Sequence, residues 1–245
     1  MNILFLEKGG PQCIVPRTDR RFEHIVRILK KKEGDSIAAG CSDGTIGLAH
    51  IGTISPEGLS LSYVPETQAP GLRPILLLMG FPRPIQAGRI LKDLTSLGIA
   101  GIWFALSDLG EKSFAESTFF KEKEYGTYLV EGAEQAGNPR LPEIRSFWSI
   151  DRACAELDKD EEASGQHSSR LMFHPDPSSP TIAALSTLEP QVTLAIGSER
   201  GWTERERSLL AAHGFQVCRL GDRILKTETA ALAAVSIVLS RLGFM

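Results

Sequence analysis

The 245-residue chain predicts a small β-rich domain followed by a larger α/β domain, whose parallel sheet is covered by helices. Three observations predict it. Short apolar runs separated by turn residues fill positions 1–64. The stretch Pro65-Glu66-Thr67-Gln68-Ala69-Pro70-Gly71 then interrupts every periodic pattern. Beyond it, apolar runs of strand length alternate with amphipathic runs of helix length, the order of a helix-covered parallel sheet. The length suffices for two cores, so the division is placed at residues 1–70 and 71–245.

In the first domain, strands are expected at Asn2–Leu6, Ser36–Cys41, Ile46–Ile54 and Leu59–Val64, with Ser42-Asp43-Gly44-Thr45 as a hairpin turn. One helix is expected from Asp19 to Lys32, where Phe22, Ile25, Val26, Ile28 and Leu29 recur at helical spacing before Gly34. In the second domain, strands are expected at Pro74–Met79, Ala100–Leu106, Arg170–Phe173, Val192–Ile196 and Phe215–Leu220. Thr203-Glu204-Arg205-Glu206 reads as a capping box that opens a helix ending at Gly214. A final helix, Glu228 to Leu242, is apolar on nearly every face and is expected to be buried. Acidic and then serine-rich, Asp158 to Ser169 is expected to be a mobile insertion.

Composition narrows the classes. Apolar residues at 42% and charged residues at 23% are ordinary globular usage and not disorder. Cys13, Cys41, Cys154 and Cys218 form no C-x-x-C pair, which speaks against a zinc knuckle or disulfide framework and for a reducing cytoplasm. The apolar run Met1–Leu6 is too short for a signal peptide, and no stretch reaches the ~20 residues that span a bilayer, so a soluble protein is expected. A net charge of −3 confines any nucleic-acid contact to a local patch. One candidate is Arg17 to Lys32, where Arg17, Arg20, Arg21, Arg27, Lys30, Lys31 and Lys32 outnumber Asp19 and Glu23; the alternative is a solvated helix face.

Familiar cofactor motifs are missing. The sequence holds no G-x-G-x-x-G after a strand, no G-x-x-x-x-G-K-[ST] and no H-E-x-x-H, and Gly197-Ser198-Glu199 lacks the spacing of a serine-hydrolase elbow. What remains is a pair of glycine-containing loops, Gly197–Trp202 and Leu220–Thr227, at the carboxyl ends of strands where open α/β sheets bind ligands. They carry Glu199, Arg200, Arg223, Lys226 and Glu228. On the residues alone this is a pocket, equally suited to a methyltransferase or to another ligand-binding α/β protein.

Leu220-Gly221-Asp222-Arg223-Ile224-Leu225-Lys226-Thr227-Glu228-Thr229-Ala230 resembles the L-G-x-R-I-L-R-x-E-T-A signature of the ribosomal small subunit methyltransferase E family. Other segments agree in order: Ile196–Trp202 resembles the family's I-G-P-E-G-G-[FW] loop and Glu134-Gln135-Ala136 its E-Q-[SA] segment. His24–Lys30 resembles its H-x-x-x-V-L-R helix, and Lys92–Gly98 its lysine-to-Glu-Leu-Gly stretch. The resemblance spans essentially the full length. Departures are Ser198 for proline, Arg200 for glycine, Ser96 for glutamate, Asn138 near an expected arginine, and Lys30 and Lys226 for arginines.

The resemblance implies an α/β SPOUT-type fold, a trefoil-knotted parallel sheet with a small N-terminal PUA-like β-barrel domain that binds RNA. It further implies a homodimer that uses S-adenosyl-L-methionine to methylate N3 of a uridine in the 16S rRNA of the small ribosomal subunit. The cofactor is then expected against Phe173, His174, Ile196, Gly197, Glu199, Gly201, Leu220, Gly221, Ile224, Leu225, Thr227 and Thr229. RNA is expected on Arg17, Arg20, Arg21, His24, Arg27 and Lys30, and no metal is implied.

Methyl transfer to N3 needs in-line positioning and loss of a weakly acidic imide proton, with charge spreading onto O2 and O4. Arg223 and Lys226 are candidates to stabilise that charge, and Glu199 and Glu228 to accept the proton. Each has a structural alternative: Glu199 accepting loop N–H groups, Glu228 complementing a helix N-terminus, Arg200 pinning a neighbouring helix, His24 packing its helix. Trp202 is expected in the core. Two rival functions stay open: a SPOUT-class enzyme acting on transfer RNA, and a catalytically silent RNA-binding protein.

Overall fold

The computed structural model describes residues 2–7 and 12–245. The chain forms two compact units: one holds the residues up to Gly71 together with Val130–Leu141, and the other holds Leu72–Leu129 and Pro142–Met245. Val130–Leu141, distant in sequence from the N-terminal strands, therefore belongs with them.

The first unit is a five-stranded sheet of β1 (Leu4–Leu6), β2 (Gln12–Pro16), β3 (Ser36–Cys41), β4 (Thr45–Ile54) and β5 (Gly58–Gln68), in the order β1-β3-β4-β5-β2. Strand β1 runs parallel to β3, and the other neighbours are antiparallel. Along β4, Gly47, Ala49 and Ile51 turn inward while Leu48, His50 and Gly52 face out, the two-residue period of a half-buried strand. Ala49 and Ile51 join Leu4, Leu6, Val15, Phe22, Ile25, Ile37, Leu59 and Leu61 in one core.

Two expectations change here. Strand β5 continues through Pro65 to Gln68, because Pro65 sits opposite Gly47 beyond the reach of β2, so its missing N–H faces an unpaired edge. The helix expected over Asp19–Lys32 is shorter: α1 (Arg20–Glu23) leads into a π-helical turn, His24–Ile28, and Lys30 takes φ 53°. The wide turn carries the following residues off the helical register. Phe22 and Ile25 are buried, whereas Ile28 is 64% exposed and Leu29 is also exposed.

In the second unit six parallel strands lie in the order β11-β9-β10-β6-β7-β8: β6 (Arg73–Gly80), β7 (Ile99–Ala105), β8 (Glu143–Phe147), β9 (Ser168–Phe173), β10 (Gln191–Ile196) and β11 (Gln216–Cys218). Helices α2 (Pro84–Leu97) and α8 (Thr227–Arg241) pack together, α8 against β6 and β10 and α2 against β7. A separate core gathers Leu78, Trp103, Met172 and Ala195 from the strands with Ile150, Cys154 and Leu157 of α6 (Ile150–Ser164) and Leu210 of α7 (Glu204–Ala212). Burial of both faces explains the nearly unbroken apolar runs of these strands. Two short helices, α3 (Lys112–Ala115) and α4 (Thr118–Lys121), belong to this unit, whereas α5 (Gly126–Ala136) begins in it and ends in the first.

The capping box is present: Thr203 Oγ1 accepts from Glu206 N–H while the Glu206 carboxylate accepts from Thr203 N–H, and α7 ends before Gly214 at φ 78°. Asp158–Ser169 is ordered rather than a mobile insertion. Most of it is the end of α6, and Arg170 draws its acids together, bonding Asp158 at 2.6 Å and Glu161 at 3.0 Å. Only one stripe of α8 is buried, from Ala231 to Leu239; Leu232 and Ile237 are half-exposed. Before α8, Arg219 bonds the Ser179–Ile182 segment, and Arg241 donates to the carbonyls of Ile182 and Leu185 from the helix's far end.

Candidate cofactor and substrate site

Strands β9, β10 and β11 end side by side, and the three segments that leave them enclose a cavity of about 260 Å³. Phe173, His174 and Pro175 follow β9. Ile196, Gly197, Ser198, Glu199, Arg200 and Gly201 follow β10. Arg219, Leu220, Gly221, Arg223, Ile224 and Leu225 follow β11, with Thr227 and Ala230 from the first turn of α8.

The β10 loop is built from bare backbone. Gly201 N–H donates to the Ser198 carbonyl at 2.8 Å and takes φ 74°, which favours glycine. A Cβ on Gly197 would stand 2.8 Å from the Gly201 carbonyl carbon and 2.9 Å from its Cα. On the other side, a Cβ on Gly80 at the end of β6 would stand 2.6 Å from Ser198 N. Three glycines thus let two chain segments and the loop's own closure pass at contact distance.

The walls mix apolar surface from Phe173, Ile196 and Leu225 with buried polar atoms that lack protein partners, Ser198 Oγ and His174 Nδ1. Burial, reinforced by Arg207, holds the His174 imidazole below its ordinary pKa. An orphaned hydroxyl and an orphaned imidazole nitrogen beside exposed main chain suit a ligand with both polar and apolar parts.

Glu199 accepts from Arg83 N–H at the start of α2, at 3.2 Å. Arg200 reaches Glu111 at 3.4 Å. Arg223 is exposed on the cavity wall and pairs with no described carboxylate. Glu228 and Thr229 lie in the first turn of α8 and do not line the cavity. At about 100° per residue, Thr227 and Ala230 share the inward face while Glu228 and Thr229 turn from it. Lys226 is the N-cap of α8 and exposed, also off the cavity wall. Trp202 is buried in the α6/α7 core. The remaining expected residues, Phe173, His174, Ile196, Gly197, Gly201, Leu220, Gly221, Ile224, Leu225 and Thr227, all line the cavity. Ser198, inside the expected Gly197–Gly201 loop, joins them, as do Pro175, Arg219 and Ala230.

The basic run in the first unit is partly occupied: Arg20, Arg21 and Arg27 stand in ion pairs. Arg21 forks onto Asp19, at 2.6 Å for its shortest contact, and donates to the Phe5 carbonyl; its hydrogen bonds to Asp19 hold that carboxyl below its ordinary value against the opposing effect of burial. Arg20 bonds Glu134, itself 2% exposed, at 2.9 Å, and Arg27 bonds Glu23 at 3.0 Å. His24 Nε2 is buried without a partner. Arg17, stacked 5.8 Å above Phe22, the exposed Lys30 and Lys32 and the half-buried Lys31 are the cations of this run that pair with no described carboxylate.

Among the described residues, no cluster of three or more His, Cys, Asp or Glu side chains is placed to hold a metal. None of the helices there is long and apolar enough to cross a membrane, and the four cysteines are free thiols.

The RNA methyltransferase domain family matches residues 70–239, and the RNA methyltransferase PUA domain family residues 18–62. Ribosomal RNA small subunit methyltransferase E of Treponema pallidum (strain Nichols) is 38% identical over 245 residues, covering 98% of this chain and 91% of its own. The Bacillus subtilis (strain 168) protein of the same name is 28% identical over 229 residues, covering 90% and 88%. Among solved structures, a ribosomal RNA small subunit methyltransferase E from Neisseria gonorrhoeae bound to S-adenosyl methionine superposes with a TM-score of 0.75 at 19% identity, over 98% of this chain and 97% of that one. A probable rRNA methyltransferase from Porphyromonas gingivalis gives 0.79 at 20% identity, over 99% of both.

Proposed function

We propose, on the premise that this chain belongs to the ribosomal RNA small subunit methyltransferase E family, that it methylates N3 of a uridine in 16S rRNA of the small ribosomal subunit, with S-adenosyl-L-methionine as donor. The observation that carries the reading is the cavity over β9, β10 and β11, closed by the signature segment Leu220–Ala230 and the glycine-built β10 loop. The residues fit such a cofactor. Gly197 and Gly201 bring bare main chain to the wall, Ile224, Leu225 and Ala230 offer apolar surface, and Ser198 Oγ and His174 Nδ1 await polar partners.

The cofactor, when bound, supplies a methyl group activated on a sulfonium sulfur. The protein's own part is to orient the uracil and manage its N3 proton. Arg223 presents a planar, permanently charged fork to developing charge on O2 and O4, with no described carboxylate competing for it. Glu199, oriented by Arg83 N–H, keeps its second oxygen available to accept the N3 proton. Glu228, turned from the cavity, serves α8 as an acidic residue near its positive end. RNA is held by the first unit, with Arg17, His24, Lys30 and Lys31 as contacts and Arg20, Arg21 and Arg27 shaping the surface through their ion pairs. Exposed Ile85 of α2 and Ile224 before α8 support a homodimer, and a ribosomal substrate places the work in the cytoplasm. Incubation with small ribosomal subunits and labelled S-adenosyl-L-methionine, followed by mapping of the methylated nucleoside, tests the reading. Label in N3-methyluridine of 16S rRNA is expected; label only in transfer RNA, or none, overturns it.

A further inference from the structure

Beside the cofactor cavity, at the carboxyl ends of β6, β7 and β8, lies a second cavity of about 160 Å³ lined by Phe81, Ala115, Phe120, Lys121, Phe147 and Trp148. Its floor is a fixed aromatic cluster. Phe120 meets Phe81 edge-on at 4.8 Å and Phe104 at 4.9 Å between centroids, and Phe119 packs behind at 5.1 Å. Its rim is different. Trp148 is 60% exposed, whereas Trp103 and Trp202 are 2% and 5% exposed. Lys121 is exposed beside it and pairs with no described carboxylate.

The two cavities share one sheet edge. With strands ~4.8 Å apart, two or three strand spacings separate them by roughly 10–15 Å. They are also joined chemically: Glu199 of the first cavity bonds Arg83, two residues after Phe81 of the second. Arg83 is exposed, and its guanidinium pairs with no described carboxylate. Acids occur nearby: Asp108 and Asp151 share Arg205 and Glu111 pairs with Arg200, whereas the exposed Glu116 and Glu122, next in the chain to Ala115 and Lys121, pair with no described cation.

We propose that the Trp148 cavity is a nucleobase-stacking subsite, which takes an unpaired base of the RNA strand flanking the target nucleotide while Lys121 and Arg83 meet its phosphates. The inference rests on the reading of the protein as an RNA methyltransferase and adds where the strand runs. Every base has a π-face, and the cavity floor is hydrocarbon, so the subsite grips without selecting sequence. The competing role for Trp148 is structural: it precedes Ser149, the N-cap of α6, and so occupies the position from which a hydrophobic staple reaches Ala153. A staple is expected to be buried, and this ring is not.

The test uses the full-length protein with small ribosomal subunits, and separately a 12-nucleotide single-stranded oligouridylate monitored by tryptophan fluorescence. Trp148→Ala is expected to raise KM for subunits roughly 5- to 150-fold, the equivalent of ~1–3 kcal/mol for one stacked base. Trp148→Phe is expected to recover most of the loss, with cofactor affinity and Tm unchanged in both. Oligouridylate is expected to quench wild-type fluorescence and not that of Trp148→Phe. Unchanged KM in an active Trp148→Ala enzyme overturns the subsite and leaves the methyltransferase reading intact. So does a fall in Tm with KM preserved, which assigns Trp148 to the staple. If the wild type methylates no RNA yet oligouridylate quenches Trp148, the enzymatic reading fails and the subsite stands.

Discussion

Replacing Gly197 by alanine puts a methyl group where the β10 loop closes on itself. The new carbon would meet the Gly201 carbonyl carbon at 2.8 Å, its Cα at 2.9 Å and its oxygen at 3.1 Å, all backbone atoms that cannot rotate away. The loop cannot retreat toward β6 either, because Ser198 N already stands where a Cβ on Gly80 would be, at 2.6 Å. Overpacking of this kind costs ~1–3 kcal/mol, which for a unit of this size lowers Tm by about 2–12 °C. The same shift withdraws main-chain groups from the cavity. Each lost hydrogen bond is worth ~0.5–1.5 kcal/mol, so two or three weaken S-adenosyl-L-methionine binding roughly 5- to 2,000-fold. Calorimetric titration with the cofactor and thermal unfolding read the two effects. Gly201→Ala separates clash from conformation: that residue takes φ 74° but has nothing within 4 Å of its added carbon, so it is expected to lose stability through strain alone. A Gly197→Ala protein that binds cofactor within twofold of wild type, at an unchanged Tm, would refute the assignment of this loop to the cofactor.

Arg223→Lys is expected to lower kcat while cofactor Kd holds, since a lysine cannot reproduce the planar fork; a Kd or Tm effect with kcat preserved assigns the arginine to packing or assembly. Changing Arg17, Lys30 and Lys31 to Ala is expected to flatten the log–log salt dependence of RNA binding by ~0.7–0.9 per lost phosphate contact, whereas Arg21→Ala should chiefly lower Tm, because it removes the fork on Asp19 and the bond to Phe5. His174 gives a pH signature. Its folded pKa lies below the ordinary 6.5, so the unfolded chain binds more protons in that window; stability is full above pH 6.5 and falls as the pH drops toward the folded value. Tm followed across that range should decline, and His174→Gln should flatten the curve. Thr203→Ala removes the capping box and a 2.7 Å bond to Asp108, and is expected to cost about 1 kcal/mol, or 2–4 °C in Tm.

The parallel strands and the α7 cap were legible because each rests on a local signal: unbroken apolar runs in doubly covered strands, and Thr203 three residues before Glu206. Strand β8 escaped because Glu143-Ile144-Arg145-Ser146-Phe147 lies at the sheet edge, where Arg145 answers Glu143, Glu156 and Asp160 in ion pairs and no apolar run is required. Asp158–Ser169 looked mobile because the cation that orders it, Arg170, lies in the next strand, and charge balance across elements leaves no periodic trace. The expected five-residue apolar face of the first helix failed through a π-turn, for which no residue between His24 and Ile28 offers a sequence marker. In the site, glycines betrayed the loops, since close main-chain approach has a compositional signature. Which side chains of those loops face inward depended on where α8 begins. A start at Thr227 sends Glu228 and Thr229 away and brings Ala230 in, a rotation set by one residue.

The assignment of Val130–Leu141 to the first unit bears on how the chain is made. Glu134 supplies the carbonyl that receives Asn2 N–H and Ile3 N–H, and the carboxylate that receives Phe5 N–H and Arg20. Those partners leave the ribosome well before Glu134, which follows only after the strands β6 and β7 of the other unit. At ~5–20 residues per second, the wait from residue 71 to residue 141 is about 4–14 s. Throughout that interval the amino-terminal sheet has its strands but not its last polar partners. Its completion is therefore tied to the synthesis of about a third of the catalytic unit, and a fragment ending at Gly71 would leave the Arg20 guanidinium and the backbone donors of Asn2, Ile3 and Phe5 without their native acceptor.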